Sequence, residues 1–131
     1  MGTVYLAEDT KLDRKVAIKF LPHHISDNSD ERKRFEIEAQ AAAALNHPNI
    51  ATIYSIEHTD NHVFIVMEYI EGQELKSIVG ATGSVALNLD RIINFAIQIA
   101  EGLQVAHEKG IIHRDIKSSN IMIIDLVIYK R

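Results

Sequence analysis

His113-Arg114-Asp115-Ile116-Lys117-Ser118-Ser119-Asn120 places a carboxylate, an ammonium two residues on and a carboxamide five residues on in one short polar run. Apolar flanks bracket it, Ile111-Ile112 before and Ile121-Met122-Ile123-Ile124 after, so buried segments hold a loop dense in charge. Charged side chains avoid apolar surroundings unless paired, so such a loop is either well hydrogen-bonded or functional. The bland alternative is a solvated surface loop, and the rest of the chain must decide between them.

Composition narrows the classes. A chain of 131 residues, 47% hydrophobic and 24% charged, suits one globular domain with a real core. No stretch is as long as a membrane span, and nothing at the start reads as a secretory signal. With 14 basic against 18 acidic residues the net charge is −4, and no basic face points to nucleic acid. The absence of cysteine removes disulfides and thiolate metal sites and agrees with a reducing, cytoplasmic setting. No internal repeat or low-complexity linker is evident.

Toward the N-terminus, Thr3 to Ala7 and Lys15 to Phe20 read as strands around a polar turn from Glu8 to Arg14. Period-two alternation puts Val16, Ile18 and Phe20 on one face and Ala17 and Lys19 on the other. A small residue beside a single lysine makes a shallow floor carrying one cation. Alone, an exposed lysine on a half-buried strand is the commoner reading.

Asn28 and Glu31 form a capping box for a helix to about Leu45, and Pro48 prevents continuation. Helical spacing aligns Phe35, Ala42 and Leu45 with Glu38, which predicts a carboxylate on the apolar face. A buried carboxylate needs a cation, and Lys19 is the candidate. Ile50 to Ile56 and Val63 to Tyr69 read as strands around the turn from Glu57 to His62, the second nearly all apolar and so covered on both faces. His58 and His62 flank a polar hairpin tip, and His23-His24 has no third ligand nearby, so a histidine metal site is disfavoured.

Leu75 to Val79 is a short helix, and Gly80 to Val85 a flexible connection. Asn88 or Asp90 caps a long helix to Lys109, which Gly110 ends. Ile92, Phe95, Ile99, Leu103 and Ala106 make one stripe, widened by Ile93, Ala96, Ile97 and Ala100 until most of the girth is apolar. Such a helix expects partners on several sides.

The run from His113 to Asn120 resembles the H-R-D-x-K-x-x-N catalytic loop of protein kinases at every specified position. Five fixed positions match by chance about once in a million starting residues. Val16-Ala17-Ile18-Lys19 matches the family's V-A-I-K, and Gly2-Thr3-Val4 resembles the end of its glycine-rich loop, with Gly2 as third glycine and Val4 as its valine. Met67-Glu68-Tyr69-Ile70-Glu71-Gly72 resembles the hinge between kinase lobes.

The resemblance implies an α+β, protein-kinase-like fold. Residues 1–69 would form an antiparallel-sheet N-lobe with one regulatory helix, lacking the first strand and two loop glycines. Residues 70–131 would form the hinge, the first helices and the catalytic loop of an incomplete C-lobe. It implies a serine/threonine kinase, a transferase using ATP and Mg2+ to phosphorylate a protein hydroxyl. Asp115 would orient and deprotonate that hydroxyl, and Lys117 would offset charge on the transferred group. Lys19, held by Glu38, would grip the α- and β-phosphates, and Asn120 would bind one magnesium ion. Peptide groups of Glu68 and Ile70 would meet adenine, Met67 would sit behind it, and Glu74 would reach the ribose.

Ile124 to Arg131 leaves the pattern. Asp125-Leu126-Val127 stands in no proper place for the family's D-F-G, and A-P-E does not occur. Both ends fall inside motifs, which suggests a partial gene product and predicts no measurable phosphotransfer from these 131 residues alone. The alternatives are an inactive kinase-like remnant binding nucleotide or protein, and a remnant that does not fold alone. The uncovered long helix would favour self-association.

Overall fold

The computed structural model describes residues 4–21, 29–59, 62–80 and 87–124. Gly2, the His23-His24 pair, the capping Asn28, the turn residues Asp60 and Asn61, the connection 81–86 and the tail from Asp125 lie outside them.

Two hairpins build a four-stranded antiparallel sheet. Strand β1 (Val4–Asp9) turns into β2 (Arg14–Phe20) because the Asp9 carboxylate accepts hydrogen bonds from the backbone N–H of Lys11 and Leu12, at 3.1 and 3.2 Å. Asp13 takes the left-handed backbone that closes the turn, at φ 49°. Strands β3 (Ile53–Thr59) and β4 (His62–Glu68) form the second hairpin, and the sheet order is β1-β2-β4-β3. β4 is therefore central, and none of its side chains is fully exposed, as its apolar run predicts. β3 starts three residues later than expected. The preceding His47-Pro48-Asn49-Ile50 folds back on itself, with Ile50 N–H donating to the His47 carbonyl at 3.0 Å.

One face of the sheet carries an aromatic row: Tyr5 and His62 lie edge-on to Phe20, and Phe64 tilts against it at 5.3 Å between centroids. Helix α1 (Ser29–Ala43) packs beside β3. Phe35, Ala42 and Leu45 lie inward as expected, but Glu38 does not. Ala39 is buried and Phe35 and Ala42 half-buried, whereas Glu38 is exposed. Centring the seam on Ala39 buries a methyl in place of a carboxylate, avoiding the desolvation cost of the charge. Val63 and Ile65 are buried on the face that Ala17 and Lys19 share, with Leu21 buried just past β2, whereas Val16 on the opposite face is, at 2% exposure, buried outright. Its burial contributes about 2 kcal/mol.

Past β4, the two-residue strand β5 (Gln73–Glu74) leads into α2 (Leu75–Gly80), and the long α3 (Leu89–Glu108) follows. Asn88 caps α3, its side chain accepting from the Arg91 N–H at 2.9 Å, and Gly110 at φ 75° lets the chain leave it. Buried Gly102 lets the 47–50 turn approach: an added Cβ would lie 3.2 Å from the Asn49 carbonyl oxygen. Asn49 also donates to Gln98 at 3.0 Å, tying the sheet half to α3. Phe95, Ile99, Leu103 and Ala106 turn inward, while Ile92, Ile93 and Ile97 are about half exposed, at 47%, 48% and 53%. Ile92 was expected on the covered stripe; the sheet-side turn reaches only as far as Gln98 and Gly102. No helix among the described residues is long and apolar enough to cross a membrane.

Candidate active site

The polar run after α3 folds into a closed hydrogen-bonded loop. Both carboxylate oxygens of Asp115 accept from Lys117 Nζ, at 2.8 and 2.7 Å. Asn120 Nδ2 donates to the Asp115 carbonyl at 2.9 Å and to its carboxylate at 3.1 Å. His113 Nδ1 accepts the Asp115 N–H at 3.3 Å, and Asn120 N–H closes a single 3-10 turn (Ser118–Asn120) onto the Lys117 carbonyl at 2.9 Å. The ammonium, carboxamide and carboxylate thus converge as their spacing suggested. Arg114 adopts a left-handed backbone, φ 61°, a strained state for a side-chain-bearing residue. Nothing in the sequence announces that strain, since glycine or asparagine would be the usual occupant.

The Lys117 hydrogen bond holds the Asp115 carboxyl below the usual aspartate range, with the Asn120 carboxamide and nearby His113 acting in the same direction. Asp115 is therefore a carboxylate at neutral pH. Because Asn120 spends its amide nitrogen on Asp115, its Oδ1 is the acceptor left for a cation.

The loop is positioned from behind by a second pairing. Strand β6 (Met122–Ile123) lies antiparallel to β5, with Gln73 opposite Ile123 and Glu74 opposite Met122. Gly72 makes this possible: an added Cβ would lie 2.4 Å from the Ile123 carbonyl oxygen. Glu74 is exposed at the end of that ribbon.

The other candidates lie on the sheet. Register sets Val4 opposite Lys19 and Lys19 opposite Ile65, then Leu6 opposite Ala17 and Ala17 opposite Met67. Directly opposed residues share a face, so Val4, Ala17, Lys19 and Met67 form one surface, at whose far end Lys15 also lies. Ala17 is buried, Met67 half-buried and Lys19 exposed. Glu68 ends β4, and Ile70 lies past the ladder with its peptide outside strand pairing.

The expected Lys19–Glu38 pair is not formed. Glu38 Oε1 lies 3.7 Å from Arg114 Nη1 of the catalytic-type loop instead, and Lys19 has no ion-pair partner among the described residues. Both partners of the observed pair are well exposed, so hydration rather than one fixed cation satisfies the carboxylate. The bond from the Thr52 N–H to Glu68 Oε2, at 3.0 Å, is likewise unannounced by the sequence, because a backbone partner leaves no side-chain signature.

Comparison with known proteins is decisive here: the family model described as "Protein kinase domain" matches residues 1–128. The chain belongs to the protein kinase family. This kinase chain is 45% identical to the serine/threonine-protein kinase PrkC of Bacillus subtilis over 94% of its length, covering 19% of that protein. It is 36% identical to the serine/threonine-protein kinase PknA of Mycobacterium tuberculosis, covering 94% of this chain and 29% of that one. Among solved structures, the kinase domain of Mycobacterium tuberculosis PknI superposes with a TM-score of 0.84 at 27% identity, over 95% of this chain and 50% of that chain. The chain thus spans about a fifth of PrkC and half of the PknI kinase domain, and it corresponds to part of a protein kinase domain.

Proposed function

We propose that this chain is the ATP-binding lobe and catalytic loop of an enzyme that passes the γ-phosphoryl group of ATP to a serine or threonine hydroxyl of a protein. The observation that carries the reading is the Asp115–Lys117–Asn120 constellation, in which the Lys117 ammonium and the Asn120 carboxamide both lie within 3.1 Å of the Asp115 carboxylate. Phosphoryl transfer asks mainly for positioning and charge stabilisation, and these residues supply both.

Asp115 orients the acceptor hydroxyl. Being a weak base, it takes the proton late, as the bond to phosphorus forms. Lys117, already beside Asp115, offsets charge on the transferred group. Adenine rests on Ala17 and Met67 below Val4, with peptide groups of Glu68 and Ile70 at its edge and Glu74 toward the ribose. Lys19 grips the α- and β-phosphates from the same face, and Gly2 belongs to the loop above them. Asn120 fits a magnesium ion as one oxygen ligand, since this ion keeps several waters and takes its other ligands from phosphates. When bound, magnesium offsets phosphate charge. The two lobes divide at residues 69 and 70, the chain works in the cytoplasm, and the exposed flank of α3 supports self-association.

Calorimetric titration with Mg-ATP tests the site: Lys19→Ala should weaken binding about tenfold, the worth of one charge-assisted contact. Identical affinity in the variant would remove the nucleotide assignment. In a chain that also carries a D-F-G segment, Asp115→Asn should abolish transfer to serine and threonine, and undiminished transfer would remove the catalytic one.

A further inference from the structure

Resting on that nucleotide reading, we propose that the Glu68 side chain is a positioning residue that locks the hinge peptide and thereby sets purine selectivity. Glu68 is the last residue of β4, and the ladder that holds β4 ends with it. Its N–H donates to the Thr52 carbonyl at 2.8 Å, and its own Oε2 accepts from the Thr52 N–H at 3.0 Å. One residue thus clasps both backbone polar groups of Thr52.

The clasp stands where regular pairing fails. Thr52 precedes β3, and the β3–β4 register shifts between Ile53 and Ser55. A carboxylate therefore replaces the carbonyl that a continuous ladder would have offered to the Thr52 N–H. Such a charge-assisted bond is stronger than the amide–carbonyl bond it replaces. On the opposite side Glu68 is paired with buried Val16, and the Arg14 guanidinium lies 3.7 Å over the Tyr54 ring at the same corner. Glu68 has no ion-pair partner among the described residues, so no cation competes for the carboxylate.

The consequence is chemical. A hinge carbonyl held in place accepts a hydrogen bond from the 6-amino group of adenine and opposes the 6-oxo group of hypoxanthine, which would set two acceptors face to face. A loosened hinge relaxes both effects. Glu68 thus acts through its backbone on the base, without touching it by its side chain.

The test titrates the chain with the magnesium complexes of adenosine and inosine triphosphate. Glu68→Ala should compress the adenine preference about tenfold, while Glu68→Gln, which retains an acceptor on the same stem, keeps most of it. Lys19→Ala should weaken both nucleotides alike and leave their ratio unchanged. If Lys19→Ala behaves so and Glu68→Ala leaves the ratio intact, the clasp has no selective role and the nucleotide site survives. If Lys19→Ala changes nothing, or the parent chain binds neither nucleotide, both readings fall. Amide exchange gives a measure free of nucleotide: the Thr52 N–H should exchange faster in Glu68→Ala than in Glu68→Gln, and equal rates overturn the clasp.

Discussion

Asp115 shows how one neighbour sets a residue's chemistry. Its carboxyl titrates below the ordinary aspartate range chiefly because Lys117 Nζ is 2.7 Å away. A depressed folded value means the pairing stabilises the fold in full above the unfolded aspartate value, and is lost as pH falls through the depressed one. Lys117→Met should therefore raise the Asp115 pKa toward the ordinary range, as read by carboxyl carbon NMR. No movement would mean the contact is absent in solution. The Arg114–Glu38 pair is a different case. At 3.7 Å between side chains 73% and 64% exposed, it contributes little, and Arg114→Ala should change unfolding free energy by less than about 1 kcal/mol in chemical denaturation.

At the scale of elements, the short β5–β6 ribbon matters beyond its length, because it pins the loop of Asp115, Lys117 and Asn120 to the segment that follows β4. The Leu75 N–H extends it, donating to the Ile121 carbonyl at 2.9 Å. Gly72→Ala forces a methyl to 2.4 Å from the Ile123 carbonyl oxygen, so one backbone must move. The expected loss is about 1–3 kcal/mol, with weakened protection of the Gln73 and Leu75 amides. Helix α3 depends on its cap in a simpler way. Asn88→Ala removes the acceptor of the Arg91 N–H and should cost about 1 kcal/mol, a midpoint shift that Asn88→Ser largely restores.

For the whole molecule, the balance of covered and uncovered surface is the telling property. Among the described residues no polar or charged side chain is buried, while Ile93 and Ile97 stand half exposed on α3. Replacing both by Lys should lower the binding of a hydrophobic dye, and dye binding unchanged in the double variant would mean that this flank is not the accessible apolar surface. The residues themselves determined much of this. The alternation around Lys19, the apolar run of β4, the Asn88 and Gly110 stops and the spacing of Asp115, Lys117 and Asn120 are local signals, set by backbone period and side-chain reach, and the chain matches the kinase family along residues 1–128. Which side of α1 faces the sheet was not local. Helical spacing allowed either Glu38 or Ala39 inward, and desolvation, which depends on what the neighbouring strand presents, chose alanine. The partner of Glu38, the left-handed Arg114 and the clasp between Glu68 and Thr52 likewise arose only in three dimensions. Each joins residues distant along the chain or strains one against its own preference, and sequence period carries no record of either.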